Sequence, residues 1–402
     1  MIYRLYLLKR LLEDLILWPF ILFGTAKAKK TPLKESYDIF FFFPFYHTGG
    51  AEKVHAQIAY AFSGKKAIII FTRKSHNEGF RQLFIDSGHK VLDISAYTDN
   101  KSKYWNNLVW RGLVSEHINN QPVKPVVFNG QCNFAYKCSP WIKRDIPQLE
   151  LIHSFNSFSQ IRIPFLPFYR KTVMISQKAI SDHRKQYQRI GVPEFYGSKI
   201  QYIRNGIPLP ENPVPKIFPG IKLNVLYAGR GTPEKRVYLV ARIAQQCRSE
   251  KLPIDFSYLG EVKPFLEKKL TDTGTFLGNI SNSEEVNNIY RNADVLIITS
   301  SEEGFPMVVM EAMSFGCIIL ATPVGDLPVH LQNEQQGFLF SSIEDEEKII
   351  SEAIEYGKIL LHNPSLCMKI SADNIVYARE HFGLSKFEES YRHLVNSVKN
   401  SH

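Results

Sequence analysis

Residues 294–322 read DVLIITSSEEGFPMVVMEAMSFGCIILAT, an order of residue types that predicts strand, loop, helix, strand. Val295 to Ile298 is a short apolar, β-branched run, the composition of a buried strand. Ser300, Ser301, Glu302, Glu303 and Gly304 break it. Phe305-Pro306 opens a helix, with proline at the first helical position, where a missing N–H costs least. The helix runs from Met307 to Phe315, and Gly316 is placed to cap its C-terminus. Cys317 to Ala321 is a second apolar run, so the unit reads as βαβ in a parallel sheet.

Two carboxylates give this unit a chemistry. Glu303 lies in the loop, and Glu311 falls inside the helix, roughly 8 Å along the axis from its start. Between them is a helix N-terminus, whose free N–H groups and dipole favour an anion such as phosphate. One acid before an anion site and another beyond it would hold hydroxyls on both sides of a diphosphate. A nucleotide-sugar has that form, with hexose hydroxyls at one end and ribose hydroxyls at the other. The plainer reading makes Glu311 a solvated helix residue and Glu302-Glu303 an acidic turn. The neighbours of Glu311 are almost all apolar, however, so the helix shows no polar face for it. A buried carboxylate needs partners.

The same stretch resembles a known family. Glu303-Gly304-Phe305-Pro306, followed by Glu311-Ala312-Met313 and Gly316, looks like the Glu-x7-Glu signature of retaining family-4 (group 1) glycosyltransferases. The resemblance implies the α/β GT-B fold: two Rossmann-like, doubly wound domains facing each other across a cleft. It implies that Glu303 positions the donor sugar and Glu311 the ribose. Gly304, Phe305, Pro306 and the Met307 and Val308 backbone amides would complete the donor site.

The chain has 402 residues, enough for two α/β domains with full cores. A hydrophobic content of 44% argues for a globular protein, and a net charge of +10 suggests an anionic partner. Cys132, Cys138, Cys247, Cys317 and Cys367 are scattered, with no Cys-x-x-Cys pair. That argues against a disulfide framework or a zinc site and agrees with a reducing cytoplasm. No nucleic-acid module accompanies the basic charge.

Residues 1–30 mix leucines and aromatics with Arg4, Lys9, Arg10, Lys27, Lys29 and Lys30. The longest uncharged run, Leu15 to Ala26, is too short to span a bilayer. A signal peptide would have an apolar run of this length, but Glu13 and Asp14 precede it and Thr25-Ala26-Lys27 is a poor cleavage site. The segment reads as an interfacial anchor on anionic lipid, with a helix packed on the protein's own domain as the alternative.

Residues 31–206 form the first domain in this reading. Asp38 to Phe43 is a buried strand feeding His47-Thr48-Gly49-Gly50 and a helix from Ala51 to about Phe62. Strand, glycine turn and helix suit phosphate, although an ordinary βα turn has the same composition. In the resembled family a Gly-Gly loop here abuts the donor phosphates, which assigns Gly49 and Gly50 to the donor. Strands are expected at 66–72, 90–94, 125–128, 148–152, 172–175 and 199–204, with helices between several of them, which indicates a parallel sheet. His153 falls at the carboxyl edge of the 148–152 strand, where such sheets bind ligands. A lone histidine there is more often structural, but similar glycosyltransferases place one at this strand end, so the resemblance makes His153 catalytic. His47 is a weaker candidate. The aromatic, basic stretch from Phe155 to Lys171 would line an acceptor groove, touch lipid, or pack as a loop.

Residues 207–220 carry Pro208, Pro210, Pro213, Pro215 and Pro219 and read as a linker. The second domain, 221–382, opens with a strand at Leu223 to Ala228 and a turn from Gly229 to Arg236. Arg230 and Lys235 in this turn would offset charge on a diphosphate as its bond to the sugar breaks. The family has the same Arg-x4-Lys spacing. It commonly has glycine after the lysine, where this chain has Arg236, which would add a third cation. Thr275 to Ile280 resembles a loop contacting the nucleobase, through Gly278 and Asn279. Helical stretches finish the chain, and residues 383–402 would pack back on the first domain.

The reading is thus a retaining, metal-independent glycosyltransferase with a nucleoside-diphosphate sugar as co-substrate and no other cofactor. Its acceptor would be a saccharide or lipid-linked hydroxyl, and its place the inner face of the cell membrane. The alternatives are a nucleotide-sugar epimerase of the same fold and a non-catalytic glycosyltransferase-like partner subunit.

Overall fold

In the computed structural model, which describes residues 2–156, 158–280 and 282–400, the apolar runs assemble into two all-parallel sheets. The tips of the terminal segments, residue 1 and residues 401–402, lie outside the described residues. The strands are β1 (Ile39–Phe43), β2 (Ala67–Phe71), β3 (Lys90–Asp93), β4 (Val126–Asn129), β5 (Gln148–Ile152), β6 (Lys171–Met174) and β7 (Ile200–Tyr202). They are followed by β8 (Leu223–Ala228), β9 (Ile254–Leu259), β10 (Thr275–Gly278), β11 (Val295–Ile298), β12 (Ile318–Ala321) and β13 (Gly337–Leu339). The first sheet has the order β3-β2-β1-β4-β5-β6-β7 and the second β10-β9-β8-β11-β12-β13. In each, the chain winds outward from the middle and then reverses, so the first and fourth strands of each sheet lie side by side at a topological switch point.

Continuous apolar runs are what such a sheet demands, because helices cover both faces. In β11, Val295 and Ile297 enter one core cluster while Leu296 and Ile298 enter the other. In β1, Phe40 and Phe42 pack on one side of the sheet, and Phe41 and Phe43 stack on each other at 5.6 Å.

The chain divides into two units, Met1–Arg204 with Phe387–His402, and Asn205–Lys386. The proline-rich segment lies along the second unit: Phe218 is buried in its core, and Lys216 Nζ donates to the Tyr290 and Arg291 carbonyls at 3.0 and 2.7 Å. The last helix, Leu384–Asn400, packs on the first unit through Arg392 Nε on the Ala61 carbonyl (2.7 Å) and Tyr391 against Phe128.

Ile2–Lys30 is one continuous helix, through Pro19. It lies against the helix Tyr104–Asn119, and the approach is set by glycine. A Cβ on Gly24 would fall 2.0 Å from the Val109 carbonyl oxygen, and one on Gly112 would fall 2.1 Å from that of Ile21. The Lys137 ammonium donates to Glu13 at 3.2 Å, and Arg10 lies over the Phe168 ring at 4.8 Å. The opposite face leaves Leu5, Leu8, Leu12, Leu15, Ile16 and Phe23 exposed. Among the described residues no helix is long and apolar enough to cross a membrane.

One expectation is corrected here. Thr275–Gly278 is an edge strand, not a loop, paired with β9 in parallel. Of the three readings of Phe155 to Lys171, packing holds for its second half, where Arg162, Phe165, Phe168 and Tyr169 are buried. Arg162 pairs with Glu150 on β5, which also accepts from Thr172 (2.6 Å) and Tyr136 (2.8 Å).

Candidate functional site

The second unit concentrates charged side chains at the carboxyl edges of β8 and β11. β8 ends at Ala228 and turns through Gly229 to Arg236; β11 ends at Ile298 and loops through Thr299 to Pro306. Because the two strands pair, the loops lie together. Lys235 Nζ reaches Glu303 Oε1 at 2.5 Å, and Ser300 Oγ donates to the same oxygen at 2.8 Å. Arg230 is exposed earlier in the same turn, and its carbonyl accepts from Tyr227 Oη at 2.9 Å. Burial pushes the Tyr227 phenol well up, and the Glu303 charge adds to the effect.

Loop 303–306 is held by the next crossover. Asp326 N donates to the Gly304 carbonyl at 2.8 Å. Gly325 has φ +59°, and a Cβ there would lie 2.1 Å from that same Gly304 oxygen, so only glycine fits. Phe305 is buried between His330 and Phe382, with ring centroids at 4.3 and 5.4 Å. Pro306 precedes the helix Met307–Ser314, whose N-terminus has no side-chain cap. The first N–H groups of such a helix, those of Met307 and Val308 here, have no partner within the helix and suit an anion.

Glu311 is half-buried one turn further on. Its Oε2 accepts from Tyr290 Oη at 3.0 Å, and Tyr290 is fully buried. Burial, and then Glu311, holds the Tyr290 phenol well above its ordinary range, so it stays a donor. Gly278, with φ +69°, ends β10, and its carbonyl accepts from Gly260 N at 2.8 Å. Asn279 Oδ1 accepts from Glu261 N at 3.1 Å. Arg236 is a correction to the expected third cation: its guanidinium is buried and donates to the backbone carbonyls of Thr299, Ser300 and Ile343.

In the first unit, Gly49 is the N-cap of the helix Gly50–Ala61, in extended backbone with no side-chain cap. A Cβ on Gly50 would meet open space, so the protein's own packing does not require glycine there. His47 Nε2 lies 3.5 Å from Glu52 Oε1. His153 directly follows β5; its N–H donates to Gln131 Oε1 (3.0 Å) and its Nε2 lies 2.9 Å from His55 Nε2. His55 is fully buried and stacks on Phe43 at 4.3 Å.

Sequence reasoning missed three of these groups: His55, Tyr290 and Ser300. Tyr290 alone had a signal, the apolar helix that left Glu311 in need of a partner. Burial of both rings keeps the histidine pair neutral, with His153 held down to about 4 and His55 well below its ordinary value.

Residues 222–356 match the family profile described as Glycosyl transferases group 1. A trehalose synthase of Pyrococcus horikoshii is 30% identical over 116 residues, 29% of this chain and 26% of that protein. A lipopolysaccharide 1,2-N-acetylglucosaminetransferase of Salmonella typhimurium is 27% identical over 142 residues, 32% and 37% of the two chains. The chain thus spans between about a quarter and just over a third of these relatives' lengths. Among solved structures, Anabaena HepE in complex with UDP and glucose superimposes with a TM-score of 0.71 at 15% identity, over 90% of this chain and 100% of that one. TarM superimposes at 0.69 and 12% identity, over 92% and 99%. These likenesses give the fold, GT-B.

The neutral histidines make a pH prediction. Both titrate near 6.5 when unfolded. Between that value and about 4 the unfolded chain binds protons that the fold at His153 does not. Stability therefore falls as pH drops through this window. In urea denaturation, taking the protein from pH 7.5 to 5.0 should cost the wild type roughly 1–2 kcal/mol more than it costs His153→Asn. Equal losses would show that the pair is not the source.

Proposed function

We propose that this chain, whose residues 222–356 form a group 1 glycosyl transferase domain within a GT-B fold, moves a hexosyl group from a nucleoside-diphosphate sugar to a hydroxyl acceptor with retention of anomeric configuration. The observation that carries the reading is the Lys235–Glu303 pair beside an uncapped helix N-terminus. UDP is the proposed nucleotide, because HepE and a TarM variant hold UDP in their solved structures.

Binding would rearrange charges already present. A diphosphate placed at the Met307 and Val308 amides would take the Lys235 ammonium as a partner, with Arg230 beside it. Glu303, released from Lys235, would accept hydrogen bonds from hexose hydroxyls. Glu311, oriented by Tyr290, would hold the ribose, and the nucleobase would lie near Gly278 and Asn279. As the anomeric C–O bond to the diphosphate breaks, negative charge grows on the phosphate oxygens, so Lys235 and Arg230 bind the transition state more tightly than the substrate. The acceptor oxygen forms the new bond from the same face, and its proton passes to the departing phosphate. No protein nucleophile is assigned, and the two cations supply the charge that a divalent metal would. In the first unit, Gly49, Gly50 and His153 are assigned to substrate by the family resemblance.

Incubation with UDP-hexoses and a bacterial lipid extract as the source of acceptor hydroxyls in EDTA buffer, read by NMR, should give an α-glycoside from an α-linked donor. Glu303→Gln and Lys235→Ala should each lower the rate by about 100-fold or more. A free epimer, or an inverted product, would overturn the assignment.

The acceptor is proposed to be lipid-linked, in cell-surface polysaccharide or glycolipid assembly, with the protein peripheral at the inner face of the cell membrane. The exposed Leu5, Leu8, Leu12, Leu15, Ile16 and Phe23 of Ile2–Lys30, with Lys9 among them and Lys27, Lys29 and Lys30 at its end, fit insertion into anionic lipid. The protein should co-sediment with phosphatidylglycerol vesicles but not with phosphatidylcholine, and Leu12→Glu/Ile16→Glu should stay in the supernatant. Equal sedimentation of variant and wild type would remove the helix from this role.

A further inference from the structure

We infer that Arg236 is a positioning residue for Glu303: it clasps the turn after β8 to the loop after β11 without touching substrate. The inference rests on the proposed role of Glu303 in holding the donor sugar. Arg236 has φ +47°, a left-handed backbone that suits glycine far better than a branched side chain, so its presence needs a compensating use. The side chain shows that use. Nε donates to the Thr299 carbonyl at 2.7 Å, Nη2 to that of Ser300 at 3.2 Å and Nη1 to that of Ile343 at 2.6 Å. No carboxylate lies within ion-pair distance of it among the described residues.

A buried cation satisfied only by carbonyls is an expensive way to hold a loop unless the loop's place matters. Here it does. Ser300, whose carbonyl Arg236 grips, donates its hydroxyl to Glu303 Oε1. The clasp closes in the other direction as well: Thr299 Oγ1 donates to the Arg236 carbonyl at 3.1 Å, and Ser301 N to the Glu234 carbonyl at 2.8 Å. The turn carrying Lys235 and the loop carrying Glu303 are therefore tied at both ends of the forked side chain. Lysine has a point charge in place of a planar fork and cannot bridge all three carbonyls.

Arg236→Gly keeps the left-handed backbone and removes the fork; Arg236→Lys keeps the charge. Melting temperature, UDP affinity by calorimetry, and kcat and KM for the UDP-sugar separate the possibilities. The clasp predicts that folded Arg236→Gly binds UDP within about threefold of wild type while kcat falls by about 10- to 100-fold, with Arg236→Lys recovering part of the loss. UDP affinity falling in step with kcat would make Arg236 a phosphate-binding cation, and an unchanged kcat would remove its role; either overturns the inference. Should Arg236→Gly fail to fold, Arg236→Lys decides the matter by the same split. A crystal structure of the folded variant tests the clasp apart from turnover. A shifted 299–303 loop supports it, and a superimposable one overturns it even if the wild type transfers no sugar.

Discussion

Because β8 and β11 pair side by side in the middle of the second sheet, with Val225 opposite Val295 and Leu226 opposite Leu296, the segments leaving their carboxyl ends have nowhere to go but alongside each other. One delivers Arg230, Lys235 and Arg236, the other Ser300, Glu303 and the start of a helix. Cations, a carboxylate and free N–H groups are thereby gathered at one edge by strand order alone. Everything else in the unit refines that placement: Gly325 lets the next crossover touch Gly304, Phe305 is wedged between His330 and Phe382, and Tyr290 fixes Glu311.

The strands were legible because a sheet buried on both faces needs unbroken apolar runs, and Phe40–Phe43, Ile68–Ile70 and Val295–Ile298 are such runs. The helix Met307–Ser314 was legible for the related reason that proline and glycine bracket it. Edge strands are harder. Thr275–Gly278 has a neighbour on one side only and is half-exposed, so its residues carry no strong pattern and passed for a loop. Arg236 was read by its charge, and charge says nothing about backbone conformation or about carbonyls far away in sequence. The same limit hid His55: its partner His153 lies 98 residues on, and no local spacing encodes that contact.

The N-terminal helix has two apolar faces, which explains why its sequence supported both an anchor and a packed element. One face is consumed by the Gly24–Gly112 approach to the helix Tyr104–Asn119, and the other is left to solvent. An exposed apolar face of this size is ordinarily covered. The proposed lipid surface would supply that cover and would bring a lipid-linked acceptor to the protein.

The most direct test of the central claim, that the second unit holds a nucleoside diphosphate through Lys235, is calorimetric titration of the full chain with UDP in metal-free buffer. The account predicts binding on the order of micromolar affinity, with the heat signal abolished in Lys235→Ala while that variant keeps its melting temperature. Absence of UDP binding by the wild type, or an affinity that Lys235→Ala leaves unchanged, would contradict it.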